Sequence, residues 1–276
     1  MWCELCRSEK RSRGDVMIRK VRLSVVAALV VAFLIGGILG VIAQRAHLPG
    51  KVLWQVGIIK SVVPWSQLPN NDRLIHLKVR EFQVANDPEE FDTEQDGHYV
   101  QKEIEVPISK LALILIDVWA EHPNDGWAER ERMNIKTKLA PLVNAAREHG
   151  MLIVHSPHGR AIHPLVSPLP NEVVVDGPYE QDELVQLLRK KGIQYLLYAG
   201  YATQMCVLHR PTGIIEMSKC GWANRIILVR DATIAIEAPW SLEGELTHKV
   251  VVFMIETNYG MSTTVEEVIR ALEEKS

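Results

Sequence analysis

The chain has 276 residues, 47% of them hydrophobic and 24% charged, with a formal net charge of -3 at neutral pH. That length permits one soluble domain of ordinary size plus an extension. A near-neutral balance with no basic stripe interleaved with aromatics excludes an expectation of nucleic acid, and four cysteines are too few for a disulfide scaffold.

Residues 1–22 form a basic N-terminal segment carrying Arg7, Lys10, Arg11, Arg13, Arg19, Lys20 and Arg22. Its Cys3 and Cys6 make a CxxC with no further ligands nearby, which falls short of a metal site. Met17 would serve equally well as a start. Residues 23–43 are an apolar run whose only polar member is Ser24. At 1.5 Å per residue such a helix crosses a bilayer core of about 30 Å, so a transmembrane helix is expected there. The basic residues ahead of it would keep the N-terminus in the cytoplasm. The expectation is a single-pass membrane protein with an extracytoplasmic C-terminal domain. Removal as a signal peptide is disfavoured, because Ala43-Gln44-Arg45-Ala46 is a poor cleavage site.

Residues 44–107 read as a linker followed by a β-hairpin. Pro49, Pro64, Pro69 and Pro88 interrupt the segment, while His76 to Val84 and Tyr99 to Val106 alternate as strands do. From residue 108 to 276 the pattern becomes α/β. Leu111 to Val118 is a nearly unbroken apolar strand, as expected where helices cover both faces. Ile135 to Glu148 has helical spacing, with Gly150 closing it. Strands follow at Met151 to His155 and Glu172 to Val175, then a helix at Glu180 to Lys191 and a strand at Gln194 to Ala199. Thr203 to about Lys219 reads as a helix, Ile226 to Arg230 as a strand, and Ser241 to Glu256 and Thr264 to Glu274 as helices. Val250 to Ile255 is rich in β-branched residues and fits strand as well as helix. The alternation implies a mainly parallel sheet in a three-layer α/β/α domain.

In such sheets ligand sites gather beyond the carboxyl ends of the strands. Asp117, His155, Asp176 and the turn from Gly200 to Cys206 all fall there. A thiol at the start of a helix has its thiolate favoured by the backbone N–H groups, and a nearby carboxylate can accept its proton. For Cys206 taken alone, a buried structural thiol is the stronger reading, since buried free cysteines are common. Cys206 and Cys220 would pair only if the fold brought them together.

ALILIDVWA (Ala112 to Ala120) and YAGYATQMCV (Tyr198 to Val207) resemble the isochorismatase-like cysteine hydrolases. The most specific element is Gly200-x-x-Thr203-x-x-Cys206-Val207, followed by Gly221-Trp222 and by Ile227 to Ala232. The resemblance implies Cys206 as nucleophile and Asp117 as general base. It also implies a cis peptide between Tyr201 and Ala202, with the amides of Ala202 and Cys206 as oxyanion donors. A small amide or related C–N compound would be the substrate. Relatives commonly assemble, so a homo-oligomer is a further expectation; no cofactor is expected.

The family's third catalytic residue is a lysine on the strand before the Glu180 helix. No lysine occurs between Lys138 and Lys190 here, and Asp176 stands about where the lysine belongs. Exchanging an ammonium for a carboxylate reverses the local field and opposes thiolate formation. Two readings follow. One is a hydrolase whose positive group comes from elsewhere, with His155, His158, His163 and Arg160 as candidates. The other is a catalytically inactive scaffold, a pseudoenzyme with a binding or structural role. Trp119, His122, Trp127 and Thr203 are further pocket candidates. His155, His158 and His163, with Asp117 or Asp176, are weak candidates for a metal site, and loop polarity explains the histidines as well. Asp231 reads as a turn or capping residue.

Overall fold

The computed structural model describes residues 72–84, 96–122 and 125–274, all within the compact unit Gly57–Ser276. Eight strands form one sheet in the order β2-β1-β8-β7-β6-β3-β4-β5. They are β1 (Leu74–Gln83), β2 (His98–Pro107), β3 (Leu111–Ile116), β4 (Leu152–Ser156), β5 (Val173–Val174), β6 (Tyr195–Gly200), β7 (Ile226–Val229) and β8 (Gly260–Thr263). From β8 to β5 the neighbours run parallel. β1 and β2 pair antiparallel from Leu74↔Pro107 to Gln83↔His98. β1 then joins β8 at Arg80↔Ser262, so the hairpin extends the sheet at one edge.

The six α-helices among the described residues are α1 (Asp125–Asn134), α2 (Ala140–Glu148), α3 (Glu180–Lys191), α4 (Ile214–Met217), α5 (Leu246–Asn258) and α6 (Val265–Glu273). They divide between two faces because strand side chains alternate. On one face Leu113, Leu115, Ile153, Leu197 and Ile227 pack against Leu139, Leu142, Val143, Val268 and Leu272. On the other, Ile114, Ile116, Val154, Tyr198 and Leu228 meet Leu184, Leu188, Ile214, Met217 and Ile255. Burial on both faces explains why β3 and β6 read as apolar runs.

Several expectations change. The transmembrane helix is corrected, and with it the membrane anchor, the membrane partner and the single-pass location. Among the described residues no helix is long and apolar enough to cross a membrane. Residues 23–43, on which that expectation rested, lie outside the described residues, as do Cys3, Cys6 and Met17. The helix expected from Thr203 to Lys219 is broken. A π-helical turn at Thr203–Val207 runs only to the neighbourhood of Pro211, where a ring without an N–H stops it. The ambiguous Val250 to Ile255 stretch lies inside helix α5. Two unexpected elements appear, α1 and β8. β8 begins at Gly260, where a Cβ would stand 2.2 Å from the Ile226 carbonyl oxygen, so close strand approach requires glycine.

Candidate active site

β3 and β6 are adjacent and parallel, with Ile116 opposite Gly200, so their carboxyl ends open side by side. The chain turns there at Gly200, φ 113°, where a Cβ would stand 2.0 Å from the Ile116 carbonyl oxygen. The Tyr201 amide donates to that oxygen at 2.9 Å. The Tyr201–Ala202 peptide is cis. Beyond it, the Ala202 carbonyl accepts from Met205 N at 3.0 Å and Val207 N at 3.2 Å, which fixes the start of the π-helical turn bearing Cys206. Thr203 is fully buried, its hydroxyl 2.8 Å from Thr233 Oγ1 and 3.1 Å from His248 Nδ1, so it anchors this turn from behind.

Asp117 follows β3 with φ 48° and only 1% exposure. Its partner is Arg210, one helical turn beyond Cys206, whose amide donates to the Cys206 carbonyl at 3.1 Å. Arg210 Nε donates to Asp117 Oδ2 at 2.9 Å, and its terminal nitrogen reaches the same oxygen at 2.7 Å. Asp117 Oδ1 is buried without a hydrogen-bond partner among the described residues. The Cys206 thiol lies close enough to this carboxyl group, and to the Ala202 backbone amide, for both to act on its protonation. Burial pushes the Cys206 thiol up to about 11; the Asp117 carboxylate adds to the rise, and Arg210 and the Ala202 amide oppose it. Cys206 is therefore a thiol at neutral pH. Cys206 and Cys220 are both free.

The cation beside this pair is thus Arg210, a residue absent from the sequence-based candidates. The expected substitutes go elsewhere. His155, 1% exposed, sets Nε2 2.7 Å from Glu172 Oε2, and Arg147 Nε reaches the same carboxylate at 2.6 Å. Burial alone would raise Glu172, but the His155 and Arg147 hydrogen bonds bring it down to about 2. The His158 Nδ1 atom lies 3.4 Å from Glu180 Oε1. His163 Nδ1 accepts from the Leu165 amide at 3.2 Å. Arg160 stacks over the Trp119 ring at 4.4 Å. Asp176 accepts from the Gly159 amide at 2.7 Å and so fastens the loop after β4.

Metal binding by the three histidines has no support in this arrangement, since each ring has its own partner. Among the described residues no group of three His, Cys, Asp or Glu side chains is placed to hold a metal ion. Asp231 takes the capping role, accepting from the Val265 amide at 2.8 Å at the start of α6.

Two buried acids join the site unannounced. Glu180, 2% exposed at the start of α3, feels Asp117 and Arg210 and is raised chiefly by burial. Glu131 on α1 is equally buried. The aromatic candidates form a connected row. The Trp119 and His122 rings stack at 5.8 Å, His122 meets Trp127 at 4.1 Å, and Trp127 meets Tyr201 at 6.0 Å. This row joins the loop after Asp117 to the turn before Cys206.

Residues 111–238 match the family model of the isochorismatase domain. A cysteine hydrolase from Pseudomonas syringae pv. phaseolicola 1448A shares the fold, with 18% identity and a TM-score of 0.50 over 61% of this chain and 94% of that one. An isochorismatase from Pseudomonas putida KT2440 matches with 21% identity and a TM-score of 0.44 over 58% of this chain and 90% of that one. No curated protein matches the chain. With the matched model spanning both Asp117 and Cys206, the domain over residues 111–238 belongs to the isochorismatase-like cysteine hydrolase superfamily.

Proposed function

We propose that the α/β domain hydrolyses a small amide or related C–N substrate, with Cys206 as nucleophile, Asp117 as general base and Arg210 as the positive group. The observation that carries this reading is the Arg210–Asp117 ion pair at 2.7 Å beside the Cys206 thiol. It answers the charge problem left by the absent lysine. The guanidinium engages Oδ2 and leaves Oδ1 for the thiol proton.

A thiol pushed up to about 11 does not attack as a ready-made thiolate. Its proton must pass to Asp117 as sulfur bonds to the carbonyl carbon, so the chemistry is general-base catalysis. The amine leaves, a thioester forms, and water hydrolyses it. Arg210 offsets the negative charge on the sulfur–carboxylate pair throughout. The same raised thiol favours the second reading, an inactive scaffold, and turnover decides between them. The full-length protein should release amine or ammonia from at least one member of a panel of small amides and ureides. Cys206→Ala and Asp117→Asn should each lower that rate by roughly 10³-fold or more. A wild-type protein that turns over no member faster than Cys206→Ala is a scaffold.

A further inference from the structure

Glu131 is, with Glu180, one of two buried acids beside the site that this mechanism leaves unused. It is 2% exposed and shares the inward face of α1 with Trp127 and Ala128. Its Oε1 is buried without a hydrogen-bond partner among the described residues. Helix α1 is fastened to the turn that leads to Cys206. The Tyr201 hydroxyl donates to Asn134 Oδ1 at 2.8 Å, one helical turn along from Glu131, and the Trp127 ring meets the Tyr201 ring edge-on. A buried acid with an idle oxygen is a poor way to hold a helix, because an apolar side chain would pack there without desolvating a carboxyl group.

The ionisable groups around Glu131 come from three elements. Asp117 lies at the end of β3, Tyr201 at the end of β6, and Arg132 on α1 itself. Burial favours the neutral acid most, Asp117 adds to it and Arg132 opposes it, which leaves Glu131 near 7. Asp117 has a guanidinium as partner, whereas Glu131 Oε1 has no hydrogen-bond partner among the described residues. Two carboxyl groups of one site in opposite environments is the pattern of a divided acid and base. Arg210 cannot share the acid role, because a guanidinium does not give up a proton in a protein.

We propose that Glu131 is the acid of the site and protonates the departing nitrogen, which rests on the hydrolase reading above. The Cys206 proton goes to Asp117 as the carbon–sulfur bond forms. The Glu131 proton goes to nitrogen as the carbon–nitrogen bond breaks. Water then attacks the thioester and gives a proton to Glu131, while the released sulfur recovers its own from Asp117. Both acids return to their starting states.

The test compares full-length wild type with Glu131→Gln and Glu131→Asp on an amide that the wild type cleaves and on an aryl ester with the same acyl group. For the amide, wild-type kcat/KM should fall as pH rises through about 7. Glu131→Gln should cut amide kcat/KM, which reports acylation of Cys206, by about 10²-fold and abolish that fall, yet leave ester kcat/KM within a few-fold, since a phenolate leaves without an acid. Glu131→Asp should restore the pH-dependent fall. Equal losses of kcat/KM on amide and ester, or a fall near pH 7 that persists in Glu131→Gln, overturn the role of Glu131 alone. A wild type whose Cys206 is acylated by neither substrate overturns the hydrolase reading and this inference together.

Discussion

Arg210→Ala is expected to cost about 3–5 kcal/mol of folding stability at neutral pH, the range for breaking a buried ion pair from one side. Asp117 is 1% exposed, and both Arg210 contacts fall on its Oδ2 at 2.7 and 2.9 Å. Without the guanidinium a carboxyl group is left in a dry position with Glu131 and Glu180 nearby, both of which feel its charge. For a domain of this size the loss corresponds to a drop in Tm on the order of 10 °C. Urea titration should show that adding Asp117→Asn to Arg210→Ala recovers most of the loss, because the stranded charge is then gone. An additive double variant would mean that the two side chains do not act as a pair.

Acid should unfold the protein through Glu172. This carboxyl group is held at about 2 by His155 and Arg147, against an ordinary value of about 4.3 in an unfolded chain. A depressed folded-state value adds stability above the unfolded one and loses it as pH falls toward the folded one. The contribution is about 3 kcal/mol above pH 5 and disappears between about pH 5 and 2. Chemical denaturation from pH 2 to 6 should therefore give a steeper loss of stability for the wild type than for Glu172→Gln. The variant should start less stable at pH 6, with Arg147 and His155 deprived of the carboxylate. Equal acid slopes would place the acid-sensitive group elsewhere.

The parts of the site that were legible in the sequence are those carried by strands. β3 and β6 are covered on both faces, so their apolar runs and the residues at their ends stand out, and Asp117 and Cys206 mark the two ends. Arg210 was hidden because the cation was sought in the loop after β4, whereas the helical rise returns a residue four places past Cys206 to the same side. Its signal was the i, i+4 spacing alone. Helix α1 was hidden by its own chemistry: Glu131 fills an inward position where an apolar residue would have completed the helical stripe, and the segment DGWAERERMN reads as polar. β8 was hidden because GMST is short and has Thr263 as its only β-branched residue, yet its glycine is what lets it approach β7. His155 shows the opposite error. A histidine at a strand end looked available to the thiol, but its ring is on the face of the sheet that carries Ile153 and is committed to Glu172.

Intact-mass analysis of the full-length protein after rapid mixing with a chromogenic aryl ester asks most directly whether Cys206, Asp117 and Arg210 act as one nucleophilic unit. One acyl group should appear on wild-type protein and map to Cys206, with none on Cys206→Ala. Adduct formation at pH 7 should be at least about tenfold slower in Asp117→Asn, where the thiol loses its base. Acylation that maps to another residue, or that proceeds on Cys206 at the same rate without Asp117, would contradict a base-assisted Cys206.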